Sequence, residues 1–347
     1  MSPHNDKLFM QRCLNLAENG LGKTYPNPLV GSVIVHKNKI IGEGWHHQAG
    51  SPHAEINAIK SVKDKSLLQY STLYVNLEPC SHEGKTPPCV NAIKKYKIPK
   101  VVLSSIDPNP KVAGNGIRIL KDSGCEVKQS VLEEKSKFIN RRFFTYHQKK
   151  RPFVILKWAQ TIDNYISPKH KEKSENKIFW ISNDKSIQKT HQWRSEESAI
   201  LVGVQTVIND NPNLTTRKWA GNNPTRLILD PNNRIPKNSN LYNDKQKTIL
   251  FNKKTIRSEN PLKNHVLLQP FNLKSFFNYC YEKEIQSIIV EGGRKTLQNF
   301  IDKGYWDEAR VFTSNKKLKQ GIPSPKFVYE KIKSVSILDD KLDYYFN

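Results

Sequence analysis

The sequence predicts an α/β protein with two domains, because short apolar runs alternate with helical patterns in both halves of the chain. Its 347 residues allow roughly two domains at about 150 residues each. With 37% hydrophobic and 10% aromatic residues, each half can bury a core. The basic stretch 141–152 (RRFFTYHQKKRP) lacks clear periodicity and is the best candidate for a junction. We therefore expect domains at residues 1–148 and 149–347.

The first half begins with a predicted β-hairpin, whose strands are the apolar run 30–35 and its partner 40–44. A helix follows at 54–62, where Ile56, Ile59 and Val62 recur at helical spacing. The remaining predicted elements are a strand at 72–77, a helix at 90–96 and a strand at 101–105.

The second half restarts this alternation, and no internal repeat is visible. The polar stretch Thr206–Arg217 (TVINDNPNLTTR) is predicted to be a loop, and the low-complexity segment 169–177 (KHKEKSENK) a solvated loop. The predicted strands are 153–158, 199–204, 226–230, 287–290 and 309–313, and the predicted helices are 184–194 and 296–303.

The chain is strongly basic, with 56 Lys and Arg against 32 Asp and Glu and a formal net charge of +24. The excess is spread over both halves, and 44 of the 56 basic residues are Lys. Planar recognition of bases and phosphates favours Arg, so this composition also fits a solvated surface. Charge alone therefore leaves open nucleic-acid binding and an anionic small substrate.

Cysteine usage and hydropathy indicate the cellular compartment. Five cysteines, an odd number in a long chain, do not predict a disulfide framework. No apolar run approaches the ~18 residues of a membrane span, and the N-terminal residues lack the apolar core of a signal peptide. We expect a cytoplasmic protein with no membrane partner.

A zinc site is predicted from His53 in a His-Ala-Glu sequence, from Cys80 after a proline, and from Cys89. One imidazole and two thiolates leave a fourth tetrahedral position open for water, as in catalytic zinc sites. We expect Ser51 and Pro52 to begin one helix and Cys89 another. A helix N-terminus favours the thiolate form of cysteine, which is the form that binds metal.

Glu55 is the candidate catalytic residue, because a carboxylate two residues from His53 can take a proton from zinc-activated water and pass it to a leaving amine. This pattern matches the first two parts of the base-deaminase signature H-x-E…P-C-x-x-C. It departs in the third part, since eight residues instead of two separate Cys80 from Cys89. A core histidine and two buried cysteines without metal are the alternative.

Five segments of the first half resemble the N-terminal deaminase of the bifunctional riboflavin-biosynthesis deaminase–reductase family, over about residues 5–145. The resemblance implies a cytidine-deaminase-like three-layer domain with zinc. The implied reaction is hydrolytic removal of the 2-amino group from a ribosylaminopyrimidinone 5′-phosphate. The segments are PNPLVGSVIV (26–35), GEGWH (42–46), AGSPHAE (49–55), LEPCSHEGKTPPC (77–89) and DPNPKVAGNG (107–116).

The same resemblance implies that Asn27, His46 and Asn76 line the substrate pocket. A turn asparagine, a surface histidine and a polar strand residue are the alternatives for these three. His82 and Lys85 lie between the two cysteines, where either a phosphate or pyrimidine contact or a solvated loop is expected.

In the second half, Gly292 and Gly293 follow a predicted strand and can let the backbone approach a cofactor phosphate. Arg294 and Lys295 add positive charge there. The dinucleotide fingerprint G-x-G-x-x-G is absent. The residues alone therefore predict an α/β domain with a ligand crevice and no more.

Longer segments of this half resemble the reductase of the same bifunctional family over about residues 151–315. They are RPFVILKWAQTIDNYIS (151–167), WIS (180–182), HQWRSEESAILVGVQTVINDNPNLTTR (191–217), RLILD (226–230) and VEGG (290–293). The resemblance implies a dihydrofolate-reductase-like domain that uses NADPH to reduce the ribosyl group to ribityl. The implied NADPH contacts are Ala159, Trp180, Thr206, Asp210, Gly292 and Gly293, and the implied substrate contacts are Arg194, Leu214, Arg217 and Glu291.

Arg194 and Arg217 suit a 5′-phosphate, which a guanidinium binds through forked, charge-assisted hydrogen bonds. The chain departs from the family at Ile178, where serine is common, at Asn164, where glycine is common, and at Asn211, where aspartate is common. The change at Ile178 affects one expected substrate contact and leaves the cofactor site in place.

The sequence leaves three functions to distinguish. The first is the bifunctional enzyme, with Zn²⁺ and NADPH as cofactors. Its expected partner is a small pyrimidine ribosyl 5′-phosphate substrate, and no specific nucleic acid is expected. The sequence leaves open whether the chain forms a homo-oligomer. The second is a nucleic-acid base deaminase with a basic accessory domain, which needs aromatic residues beside basic strips. The third is a non-catalytic binding protein with structural zinc, against which Glu55 and the open fourth position argue.

Overall fold

The chain forms two compact units, Met1–Lys150 and Arg151–Asn347. The structure is a computed structural model that describes residues 3–84, 86–110, 112–168, 179–255 and 263–347. Lys85, Ile178 and the low-complexity segment 169–177 lie outside the described residues. No described helix is long and apolar enough to cross a membrane.

The first unit is a three-layer α/β/α domain around a five-stranded sheet of order β2-β1-β3-β4-β5. The two hairpin strands and β3 are antiparallel neighbours, whereas β3, β4 and β5 run parallel. Its strands are β1 (Gly31–His36), β2 (Lys39–Trp45), β3 (Thr72–Leu77), β4 (Lys100–Ser105) and β5 (Glu126–Lys128). Its helices are α1 (Pro3–Ala17), α2 (Ala54–Ser61), α3 (Cys89–Lys95), α4 (Asn115–Asp122), α5 (Glu133–Ile139) and α6 (Arg141–Lys149).

Alternation along the central strands produces the two faces of this sheet. On β3, Leu73 and Val75 pack with apolar residues of α2, α3 and α4. Tyr74, between them, faces the opposite layer and packs against Phe9 of α1. Because β3 is buried along its whole length, the residues that follow it emerge at the carboxyl edge of the sheet in a fixed position.

The second unit contains a nine-stranded sheet of order β11-β10-β9-β8-β12-β6-β13-β16-β15, in which the first seven strands are parallel. The main-sheet strands are β6 (Phe153–Thr161), β8 (Ala199–Gly203), β9 (Thr225–Leu229), β10 (Thr248–Asn252), β11 (Lys263–Leu267), β12 (Ser287–Gly292), β13 (Glu308–Ser314), β15 (Lys333–Ile337) and β16 (Asp340–Phe346). A separate pair consists of β7 (Tyr165–Ser167) and β14 (Ile322–Pro323). The helices are α7 (Asp184–Glu196), α8 (Val204–Asp210), α9 (Leu273–Glu282) and α10 (Arg294–Asp302).

Two of the sequence interpretations are wrong at the level of local structure. The aperiodic stretch 141–152 contains helix α6, whereas the division between the two units, after Lys150, does fall within this stretch. Phe143 and Phe144 of α6 pack with Leu77 at the end of β3, so burial of aromatic side chains outweighs the basic character of the segment. The polar stretch Thr206–Arg217 likewise begins inside α8, because Val204 and Val207 bury one face of that helix.

The start of α2 also differs from the expectation. The helix begins at Ala54 and His53 is its N-cap residue, instead of Ser51 and Pro52. The Ser51 hydroxyl is used in a local turn, where it donates to the Gln48 carbonyl oxygen at 2.7 Å. Glu55 still lies in the first turn of the helix, as expected.

Two glycines of β2 let α2 approach the sheet closely. A Cβ atom on Gly42 would lie 2.6 Å from the Ala58 carbonyl oxygen, and one on Gly44 would lie 2.6 Å from the Ala58 nitrogen. Both clashes involve helix backbone, which cannot rotate away as a flexible side chain can. The position of α2, and of the residues at its N-terminus, therefore depends on these glycines.

We expect Gly44→Ala to destabilise the first unit by about 1–3 kcal/mol, the usual range for overpacking a well-packed site, and to lower bound zinc because His53 moves with α2. Thermal unfolding and metal analysis measure the two effects. Gly84→Ala is the control, since a Cβ there would approach only His82 Nε2, at 3.9 Å. Normal stability and zinc content in Gly44→Ala would show that the helix is free to shift.

Candidate active sites

His53, Cys80 and Cys89 meet at the carboxyl edge of the first sheet. His53 Nδ1 lies 3.5 Å from Cys80 Sγ and 3.3 Å from Cys89 Sγ. Their ligand atoms all fall within 4.8 Å of one another, and within the described part of the chain this is the one group of this kind. The residues predicted to bind zinc are thus assembled in space.

The local fold explains why the two thiols are suited to a metal. Cys80 follows β3, and Cys89 is the first residue of α3, with Pro88 as the N-cap. Hydrogen bonds from the thiol and the backbone N–H of Cys89, the latter at 3.3 Å, lower the pKa of Cys80 to about 4. Two cysteine sulfurs, which bind zinc as thiolates, and an imidazole nitrogen form a donor set that zinc prefers, so these residues fit the ion.

Glu55 lies in the first turn of α2 and is 3% exposed. Burial raises the pKa of this carboxyl to about 7, and its side chain is hydrogen-bonded to that of Cys89. A carboxyl group with a pKa near the working pH can both accept and donate a proton. Its position is therefore suited to the expected catalytic role.

Asn27 and His46 form a hydrogen-bonded pair beside the metal-ligand group. The His46 ring lies edge-on to the His53 ring, with centroids 5.2 Å apart. Its Nδ1 donates to the Pro52 carbonyl oxygen at 3.3 Å, so Nε2 is free to accept from Asn27 Nδ2 at 3.0 Å. Burial lowers the pKa of His46, which keeps this ring neutral.

Asn76 is placed differently from Asn27 and His46. It is fully buried, donates to the Leu29 carbonyl oxygen at 3.0 Å and accepts from the Gly31 nitrogen at 2.8 Å. Its polar atoms hold the chain that leads from Asn27 into β1. His82, in the loop between the cysteines, has an exposed side chain.

Glu78 is a residue at this edge that sequence reasoning missed. It is 4% exposed, and its carboxylate accepts hydrogen bonds from the backbone N–H groups of Asp107, Gly114 and Ile117. These bonds connect the residue two before Cys80 to the loop after β4. Glu78 belongs to the LEPC segment and stands two residues before Cys80. This position was the signal in the sequence that could have pointed to it.

The second unit has a cavity of about 540 Å³ at the carboxyl ends of β6, β8 and β12, the edge where ligands bind in open parallel sheets. Leu214 does not line this cavity and instead packs in the core. The lining includes all six NADPH candidates and three of the four substrate candidates: Ala159, Trp180, Thr206, Asp210, Gly292, Gly293, Arg194, Arg217 and Glu291.

Glycines form a cradle at one end of this cavity. Gly293 is the N-cap of α10, and a Cβ there would lie 3.1 Å from Thr206 Oγ1. Gly292 has φ +125°, which side chains rarely adopt. Beyond them, Arg294 Nε is buried and has no hydrogen-bond partner among the described residues. A backbone that can be closely approached, at a helix N-terminus beside a cation, fits a dinucleotide phosphate group such as that of NADPH.

Arg194 and Glu291 form a buried, two-pronged ion pair in the cavity wall, with N–O distances of 2.7 and 2.8 Å. Burial alone would raise the pKa of Glu291, but the Arg194 guanidinium outweighs this and holds it at about 2. Arg194 Nη1 also donates to the Thr215 carbonyl oxygen at 3.1 Å, so three of its five N–H donors are used within the protein. Arg217 is exposed and makes no hydrogen bond to another described residue.

Lys157 and His191 also line the cavity and were not predicted. Lys157 lies on β6, and burial lowers the pKa of its ammonium group while the charge of Glu291 opposes that change. His191 is 2% exposed, and burial lowers its pKa to about 4, which leaves it neutral. Both lie within the quoted reductase segments, but only the fold shows that they face the cavity.

The two folds and their sites define a protein class, a zinc-dependent deaminase joined to an NADPH-dependent reductase. Residues 3–105 match the family described as the cytidine and deoxycytidylate deaminase zinc-binding region. Residues 152–318 match the RibD C-terminal domain. The riboflavin biosynthesis protein RibD of Aquifex aeolicus is 40% identical over 91% of this chain and 89% of that protein.

Solved structures agree with these sequence relationships. A diaminohydroxyphosphoribosylaminopyrimidine deaminase/5-amino-6-(5-phosphoribosylamino)uracil reductase from Thermotoga maritima is 36% identical, with a TM-score of 0.89 over 99% of this chain and 98% of that one. Acinetobacter baumannii RibD is 29% identical, with a TM-score of 0.91 over 99% of both chains. The chain belongs to the RibD family of riboflavin biosynthesis proteins. The two-domain α/β fold, the bifunctional activity and the cofactors Zn²⁺ and NADPH are thereby confirmed.

We expect Glu55→Gln to keep zinc but lower deaminase kcat by about 10²–10⁴-fold, because the amide cannot transfer the proton. Cys80→Ala, in contrast, should lose both zinc and activity, since it removes a ligand. Metal analysis and deaminase assays on the full chain separate these outcomes. A Glu55→Gln enzyme with nearly normal kcat would remove Glu55 from the reaction.

We expect Arg194→Met to destabilise the second unit by about 3–5 kcal/mol, because it leaves the Glu291 carboxylate buried without its partner. The double variant Arg194→Met/Glu291→Leu should regain most of this stability and still lack reductase activity. Chemical denaturation and NADPH oxidation provide the measurements, with deaminase activity of the same chain as the control. If the double variant kept its reductase activity, the ion pair would have only a structural role.

Proposed function

We propose that this chain deaminates 2,5-diamino-6-ribosylamino-4(3H)-pyrimidinone 5′-phosphate and then reduces the product to 5-amino-6-ribitylaminouracil 5′-phosphate. The observation that carries the proposal is the assembly of His53, Cys80 and Cys89 around the buried Glu55 in a chain that also has a reductase cavity. The substrate class is that named for the Thermotoga maritima enzyme.

In the deaminase unit, His53, Cys80 and Cys89 would hold the zinc ion, which would supply Lewis acidity toward a water molecule. Glu55 accepts the proton of that water and donates it to the departing 2-amino nitrogen. The neutral His46 holds the Asn27 amide, whose remaining polar atoms can bind the pyrimidine.

In the reductase unit, the Gly292–Gly293 cradle and Thr206 would hold NADPH, which would supply the hydride. With a hydride delivered to C1 of the sugar, the bond from C1 to the ring oxygen would break, and the ring oxygen would need a proton. Lys157 is placed to give that proton, since its lowered pKa makes the ammonium group a better acid. Glu291 stays ionised and can orient the sugar hydroxyls.

We assign the substrate phosphate to Arg217 instead of Arg194. Arg194 already binds Glu291 and the Thr215 carbonyl oxygen, whereas the Arg217 guanidinium is exposed in the cavity wall. In this assignment Arg194 is a positioning residue for Glu291 and for the turn that leads to Arg217. Leu214, buried with φ +52°, shapes the same turn and does not touch substrate.

The proposed partner is this small anionic substrate, with no specific nucleic acid. The Lys-rich surface then serves solubility, with at most weak and salt-sensitive binding to polyanions. All five cysteines are unpaired. Unpaired thiols, two of them in the zinc-ligand group, fit a reducing compartment, and we place the enzyme in the cytoplasm.

Mass spectrometry of the aminopyrimidine phosphate tests the two-step reaction. Without NADPH, the substrate should exchange an amino group for oxygen, and only addition of NADPH should then add two hydrogens. Glu55→Gln should oxidise NADPH when given the deaminated compound and not when given the starting compound. Efficient reduction of the starting compound by Glu55→Gln would contradict the proposed order.

We expect Arg217→Ala to raise reductase KM by at least tenfold with little change in kcat, because a phosphate contact binds ground and transition states alike. Steady-state kinetics with the deaminated substrate measure this. Lys218→Ala is the matched control, since its side chain pairs with Asp184 on the surface. A selective fall in kcat would place Arg217 in the chemical step instead.

A further inference from the structure

The spacer between the two cysteines is long for a deaminase zinc site. It contains eight residues, 81–88, where the base-deaminase signature has two. Its ends are nevertheless joined, because the Cys89 N–H donates to Cys80 Sγ and the Val90 N–H to the Cys80 carbonyl oxygen, both at 3.3 Å. These two hydrogen bonds hold the ends of the spacer together. The residues between them are therefore available for another role at the site.

One residue of this loop reaches the metal-ligand group from the opposite side. Thr86 Oγ1 lies 3.4 Å from His53 Nε2, whereas His53 Nδ1 faces the two sulfurs. In a neutral imidazole that binds metal through Nδ1, the proton is on Nε2, which can then donate to the Thr86 hydroxyl oxygen.

The surroundings hold Thr86 in this position. Pro87 follows it and restricts its backbone to extended conformations. The Gly84 N–H donates to the Thr86 carbonyl oxygen at 3.3 Å and closes a turn before it.

We propose that Thr86 is a positioning residue for the zinc site, which fixes the orientation and tautomer of the His53 ring. Metal-binding histidines generally donate their second N–H to an acceptor that sets the ring orientation and ligand strength. Here the acceptor is a hydroxyl supplied by the loop between the other two ligands. This inference rests on the proposed role of His53 as a zinc ligand.

The test is zinc affinity of the full chain, measured by competition with a chromophoric chelator. Thr86→Val keeps the shape of the side chain and removes the acceptor, so zinc should bind about 10–100-fold more weakly. Thr86→Ser keeps the hydroxyl and should bind zinc as the unaltered chain does. Thr145→Val, on helix α6 outside the zinc loop, controls for loss of a threonine hydroxyl as such. Thermal unfolding of each variant reports on folding of the first unit, which contains both threonines.

The outcomes separate this inference from the proposed function. If the unaltered chain binds zinc no better than Cys80→Ala, the zinc site itself fails. If the unaltered chain binds zinc and Thr86→Val binds it equally well, the role of Thr86 is overturned and the zinc site stands. If Thr86→Ser is as weak as Thr86→Val, the hydroxyl is not the operative group, and the inference is again overturned.

Discussion

The three proposed zinc ligands, His53, Cys80 and Cys89, come together because helix α2 packs closely against the sheet. His53 stands at the start of that helix, and the thiols stand at the end of β3 and the start of α3. The glycine at position 44 lets the helix backbone come within a distance that any side chain would prevent. The position of His53 and the burial of Glu55 at the deaminase site both follow from this packing.

The two units use a buried glutamate in opposite ways. Glu55 is buried beside the thiol groups of the ligand residues, and burial raises its pKa to about 7. Glu291 is also buried, but the Arg194 guanidinium keeps its pKa at about 2. The first carboxyl can exchange a proton at neutral pH, and the second is a permanent negative charge. The neighbouring residues, rather than the residue type, decide which chemistry each glutamate can perform.

Much of this arrangement could be predicted, because local patterns encode it. Strand β3 lies at the predicted residues 72–77, and the three proposed zinc ligands come together as expected. The errors have a common cause in contacts between distant residues. Helix α6 forms because its phenylalanines pack on the end of β3, and Arg194 is occupied by a glutamate 97 residues further along the chain. Neither contact can be inferred from the spacing of residues in the local sequence.

The union of both units in one polypeptide has a consequence for metabolic flux. Translation of a single message supplies the two catalysts in equal numbers, so differences in gene expression cannot change their ratio. The standing concentration of the intermediate is then set by the relative turnover of the two steps. A mutation that slows only the reductase would raise that concentration, and no increase in enzyme level would restore the balance.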